Sequence, residues 1–145
     1  APVEGEVVDL LKVRDPVFPQ NNLGDGFAIE PTDNFIYAPV SGQIMLVAST
    51  QHAIGIRMTN GLEVLLHLGL NTSMMPNGSF HIRVKRGQEV RGGQRIAAAN
   101  FGRIRARGFD DTVVVTFINS EELAATLKID YGPVAGGHRI GQIKL

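Results

Sequence analysis

The chain has 145 residues, 14 basic against 14 acidic side chains, and no cysteine. A chain of this length buries a core without covalent staples. The missing thiols exclude a disulfide framework, thiolate metal sites and a cysteine nucleophile. Charge is unevenly placed: residues 1–35 are mainly acidic, and residues 82–107 carry arginines and lysines with Glu89 as the single acid. That basic stretch lacks aromatic interleaving and sits among glycine turns, so it reads as solvated surface, not a nucleic-acid interface. No basic-then-apolar leader opens the sequence and no apolar run approaches the ~20 residues of a membrane span, which points to the cytoplasm.

Along the chain, short runs rich in Val, Ile and Leu predict strands at 6–11, 27–29, 43–47, 52–58, 62–70 and 81–84. Residues 100–107 predict a turn or two of helix, and 112–118 another strand. Asn119 with Glu122 three residues on resembles a capping box, predicting a short helix through Leu127. A last strand is expected at 140–145. Glycine turns fall between these runs. Val84-x-x-Gly87-x-x-Val90 recurs as Val90-x-x-Gly93-x-x-Ile96 and Val134-x-x-Gly137-x-x-Ile140, with a glycine free to take positive φ between core-facing residues. The pattern predicts an all-β fold, an antiparallel β-sandwich or distorted barrel with one or two short helices, in one domain over 1–145.

Two histidines carry the chemistry. In Leu62-Glu63-Val64-Leu65-Leu66-His67-Leu68-Gly69-Leu70, alternation puts Val64, Leu66, Leu68 and Leu70 on an apolar face. Glu63, Leu65, His67 and Gly69 fall on a mixed face. Asn60-Gly61 is a strong hairpin signal, and a two-residue type I′ loop there sets His67 opposite Ile54. His52 then becomes the diagonal neighbour of His67 on one face, in a depression lined by Ile54 and Leu65. A three-residue loop would send the two rings to opposite faces. Spacing alone leaves three uses open for such a pair. They are separately satisfied structural histidines, a metal pair, or a nucleophile beside a hydrogen-bond donor. His81, on an expected edge strand, and His138, at a turn, read as non-catalytic.

Several segments resemble one family. They are Glu6-Val7-Val8, Asp15-Pro16-Val17-Phe18, Leu23-Gly24-Asp25-Gly26-Phe27-Ala28-Ile29, Ala38-Pro39-Val40, Thr50-Gln51-His52-Ala53 and His67-Leu68-Gly69-Leu70-Asn71-Thr72. Val84-x-x-Gly87-x-x-Val90 and Asn119-Ser120-Glu121-Glu122 belong to the same set. In order, they resemble the glucose-type EIIA domains of the bacterial sugar phosphotransferase system. The resemblance implies a cytoplasmic phosphotransferase component that accepts a phosphoryl group from the histidine-containing phosphocarrier protein. It would pass that group to an EIIB domain of a sugar permease, meeting the membrane only through that permease. Carried onto this sequence, His67 is the phospho-acceptor and His52 its phosphoryl-contacting partner. The resemblance gives Thr50 the hydroxyl that fixes the first ring and Gly69 the carbonyl that orients the second. Asp25 would lie on the face that meets the phosphocarrier, with Asn71, Ile54 and Leu65 at the same contact. No cofactor and no resident metal are implied; a zinc shared with a partner protein would take His52 and His67 as two ligands.

Two positions depart from the family pattern. Asn71 stands where the glucose branch has Asp, removing a negative charge that bears on steering of the phosphocarrier. Thr112-Val113-Val114-Val115 replaces Thr-Thr-Pro-Val, restoring a backbone donor in a strand. Other classes fit less well. A catalytic zinc site of the lysostaphin kind needs His-x-His, whereas Leu65 and Gly69 flank His67. A biotinyl or lipoyl carrier needs a lysine in a Met-Lys-Met-like tripeptide, and none is present. An EIIA-like regulatory module binding transporters or kinases is the alternative that remains.

Overall fold

A computed structural model describes residues 1–9, 25–49, 51–70 and 79–144. Its strands in chain order are β1 Gly5–Asp9, β2 Asp25–Pro31, β3 Phe35–Tyr37, β4 Gly42–Val47, β5 Ala53–Arg57, β6 Glu63–Leu70, β7 Phe80–Ile82, β8 Glu89–Val90 and β9 Arg95–Ala99. The helix α1 Phe101–Ala106 follows, then β10 Asp110–Phe117, β11 Thr126–Ile129, β12 Gly132–Val134 and β13 Gly141–Lys144. Eight strands form one sheet in the order β12-β1-β2-β10-β6-β5-β4-β8; β3-β9-β7 make a second and β11-β13 a third. Every pairing is antiparallel. The fold is an antiparallel β-sandwich, as the glycine-punctuated pattern predicts.

One apolar cluster holds the layers together. The large sheet contributes Ile54, Ile56, Val64, Leu66, Leu68, Val113, Val115 and Phe117, packed with Ile36, Ile96, Phe101 and Ile104 from the other side. These are alternate positions along β5, β6 and β10, so a single face of each strand enters the core. The three Val-x-x-Gly-x-x-Val-type segments form turns with Gly87, Gly93 and Gly137 at φ +93, +86 and +79. Their flanking Val84, Val90, Ile96 and Ile140 are buried.

The helix over 100–107 forms as expected. Asn100 caps it by accepting the Arg103 N–H at 3.0 Å, and Phe101 and Ile104 bury one face. The expected helix from Asn119 to Leu127 does not form. The Asn119 side chain is committed elsewhere: its Oδ1 accepts the Glu63 N–H at 2.8 Å and its Nδ2 donates to the Gly61 carbonyl at 3.0 Å. A single turn closes when Ala124 takes φ +53, with Ala124 N–H bonded to Glu121 O and Ala125 N–H to Ser120 O. That is a Schellman closure with alanine in the left-handed position. The chain beyond it is therefore free to form β11.

Candidate functional site

The site lies on the face of the large sheet opposite the apolar cluster. Its base is the β5–β6 hairpin, whose register differs from the sequence expectation by one residue. Ala53, not Ile54, stands opposite His67, and Ile54 stands opposite Leu66. The cause is the loop. Met58 N–H bonds to the Leu62 carbonyl at 2.8 Å, leaving a three-residue loop of Thr59, Asn60 and Gly61. Gly61 alone takes positive φ, at +93, while the Asn60 side chain accepts the Leu62 N–H at 3.1 Å. Asn60 thus makes an Asx turn instead of adopting the left-handed conformation a type I′ loop demands.

A three-residue loop was expected to separate the two imidazoles, yet their ring centroids are 6.2 Å apart with planes tilted by 47°. The reason is that His52 lies outside the strand. It occupies the bend before β5, after Gln51 at φ +61, so the alternation that governs Ala53 to Arg57 does not dictate its side chain. Its carbonyl still accepts the Leu68 N–H at 2.8 Å, which anchors the bend to β6. The backbone is fixed by the ladder while the ring turns toward His67.

His67 is flanked by small or apolar neighbours: Ala53 on β5 and Val114 on β10 are its register partners. Two residues back, Leu65 is half-buried and faces Gly55. A Cβ at Gly55 would come within 3.1 Å of the Leu46 Cβ and 3.3 Å of Met45 side-chain atoms, so glycine lets those side chains close over the strand. The bulge that does this, with one extra residue between Ile44 and Leu46, leaves Leu46 44% exposed beside the site. Beyond His67, β10 carries a second irregularity between Asp110 and Val113, opposite Gly69 at φ +91. Glycine is needed there because a side chain in that left-handed conformation would be strained. Burial holds the His52 pKa below the ordinary imidazole value, which favours its neutral form.

The other expected residues are placed as follows. Leu65 shares the His67 face. Ile54 does not: it is fully buried in the core, and the one-residue register difference puts it on the wrong side of the sheet to line a depression. Asp25 opens β2 with its backbone opposite Phe117. Gly69 is buried two residues beyond His67. Thr50 and Asn71 lie outside the described residues. Val114, at the position of the family proline, takes its place in the ladder between His67 and Ala28. His81 is exposed on β7, an edge strand, and His138 is exposed in a turn. Ala53, Gly55, Val114 and Leu46 were missed as site neighbours, since their membership depends on register and on a bulge with no sequence marker. Among the described residues no three His, Cys, Asp or Glu side chains gather as metal ligands. His52 and His67 by themselves supply one ligand fewer than a catalytic zinc takes from a protein.

An antiparallel β-sandwich carrying two adjacent imidazoles on one sheet face, over an apolar floor, defines a histidine-based group-transfer or binding module. Comparison with known proteins specifies it further. Residues 1–123 match the family model described as phosphoenolpyruvate-dependent sugar phosphotransferase system, EIIA 1, and the chain belongs to that family. It is 36% identical over 135 residues to a glucose-specific EIIA component of Bacillus cereus, covering 93% of this chain and 81% of that protein. It is also 38% identical over 142 residues to a glucose-specific EIICBA component of Streptococcus pneumoniae, covering 98% of this chain but 20% of that one. A lactose permease of Lactobacillus delbrueckii is matched at 42% identity, over 86% of this chain and again 20% of its partner. The chain therefore spans about a fifth of the length of those two relatives. Among solved structures, glucose permease IIA from Mycoplasma capricolum superposes with a TM-score of 0.87 at 33% identity, covering 97% of this chain and 91% of that one.

Proposed function

We propose that residues 1–145 act as one phosphoryl-carrier domain in which His67 accepts the phosphoryl group and His52 stabilises it. The observation that carries this reading is the 6.2 Å approach of the two rings on the outer sheet face, where the register neighbours of His67 are Ala53 and Val114. A neutral imidazole offers a lone pair to phosphorus, and phosphoryl transfer asks the protein mainly for positioning and charge stabilisation. His67 is held mid-strand between two ladder partners, so its position is set by the sheet. Burial favours the neutral form of the His52 ring, and the proposal assigns its single N–H to a phosphoryl oxygen when the group is bound. As the bond from the donor's phosphohistidine to phosphorus breaks, a bond to a His67 nitrogen forms, and onward transfer reverses the roles. Leu46 and Leu65 give the face an apolar margin on which a partner can seat.

The donor is then the histidine-containing phosphocarrier protein, and the acceptor an EIIB domain of a sugar permease, in the cytoplasm. The EIICBA relative, in which the matched region is a fraction of a longer protein, supports the second partner. Among the described residues no helix is long and apolar enough to cross a membrane. Thr50 as ring-fixing hydroxyl, Gly69 as ring-orienting carbonyl, and Asp25 and Asn71 as phosphocarrier contacts belong to the same proposal.

Incubation with phosphoenolpyruvate, enzyme I and the phosphocarrier, followed by intact-mass spectrometry, tests it. One phosphoryl group per wild-type chain and none on His67→Ala are expected; full labelling of that variant would overturn the assignment. His52→Gln keeps a neutral donor on a different geometry. It should still be labelled on His67, while quench-flow transfer to EIIB slows by about 10²–10³. Unchanged transfer would make His52 a bystander.

A further inference from the structure

On the far side of the large sheet from the histidines lies a cavity of about 420 Å³, within the roughly 300–1,000 Å³ usual for small-molecule sites. Its floor includes Phe27 and Phe117, core-face residues of β2 and β10 that are each 3% exposed. Its wall is the two-stranded β11–β13 sheet, through Leu127, Ile129 and Ile143. Along β11, Leu127 and Ile129 alternate with exposed Thr126 and Lys128, so one face of this small sheet is turned to the cavity and the other to solvent. This wall lies beyond residue 123, where the family match ends.

The rim has one sign of charge. Arg139 lines the cavity, its Nε donating to the Gly141 carbonyl at 3.3 Å and one terminal nitrogen to Gln142 Oε1 at 3.1 Å. Those contacts hold the guanidinium in place and leave donors unused. Arg139 takes part in neither ion pair found among the described residues. Ser41 Oγ accepts the Gly92 N–H at 2.8 Å, leaving its own O–H to donate. Among the described residues lining the cavity there is no aspartate or glutamate.

We propose that this cavity binds a small amphipathic anion, with an aliphatic body against the β11–β13 sheet and a carboxylate-type head at Arg139. The apolar wall takes up the chain, and a charge-assisted contact to a guanidinium distinguishes an anion from a neutral or cationic amphiphile of equal length. A cationic head would meet Arg139 with no acid to offset the repulsion.

The test uses the whole chain, ¹⁵N-labelled, titrated with octanoate, 1-octanol and octylamine below their aggregation limits. Octanoate should shift the amide signals of Leu127, Ile129 and Ile143 and leave that of His67 in place. It should bind about tenfold or more tighter than octanol or octylamine. Arg139→Gln, at an exposed position, should bring octanoate to the level of octanol. No shift at β11 or β13 with any probe, shifts centred on His67, equal binding of octanol, or undiminished octanoate binding by Arg139→Gln would each overturn the proposal.

Discussion

The two faces of β6 come from the same eight residues but are held differently. On one, Val64, Leu66 and Leu68 are fully buried against Ile54, Ile56 and Val115. On the other, Leu65 and His67 are half-buried, with Ala53 and Gly55 beside them on β5. Close packing fixes the first face. The second is fixed from beneath, through the backbone ladder and that same core, which frees its side chains for chemistry. A nucleophile built this way is placed by a rigid plate without being enclosed. The outer face also tolerates an oddity: Thr116, opposite Leu65, is fully buried with no hydrogen-bond partner for its hydroxyl among the described residues.

The sharpest contrast should come from truncation on either side. Leu66→Ala removes a fully buried side chain and is expected to cost about 2–5 kcal/mol in urea unfolding. Leu65→Ala, on the half-buried face, should cost about 1 kcal/mol. Equal losses would mean that both faces are packed alike, breaking the comparison.

A smaller effect concerns protons. Burial lowers the His52 pKa, so the unfolded chain, titrating near about 6.5, binds this proton more readily than the folded one. The destabilisation from His52 is absent above that value, grows as pH falls toward the lower folded value, and is constant below it. Between pH 7.5 and 5.5 wild type should lose more stability than His52→Gln. An identical fall in both would show that His52 is as hydrated when folded as when unfolded.

The smallest expected change is at Thr116. Replacing an unpartnered buried hydroxyl by a methyl should leave stability within about 0.5 kcal/mol of wild type, or raise it. A loss well beyond that would reveal a partner for the hydroxyl and a more polar interior to the outer face.

Much of this organisation was legible in the chain. The alternation of Val64, Leu66 and Leu68 identified the core face, and the turn or two of helix expected over 100–107 is α1. What escaped was set by side chains acting at a distance or by single backbone choices. Asn60 and Asn119 both look like local signals, one for a two-residue turn and one for a helix cap. In the fold Asn60 caps its own loop instead, and Asn119 clamps the neck of the hairpin from 56 residues away. The register of β5 moved by one residue as a result, carrying Ile54 into the core. The histidines met nonetheless, because His52 had left the strand. The short strands β3, β8, β9, β11 and β12 escaped because each is only two to five residues long and is defined by its partner.

The most direct test is to identify the phosphorylated ring itself. The chain would be labelled with ¹⁵N-histidine, phosphorylated by the phosphocarrier, and examined for one-bond ³¹P–¹⁵N coupling. The account predicts a single coupled nitrogen, belonging to His67 and missing from His67→Ala, with the His52 ring uncoupled. A phosphorus-coupled nitrogen assigned to His52, or to His81 or His138, would contradict it.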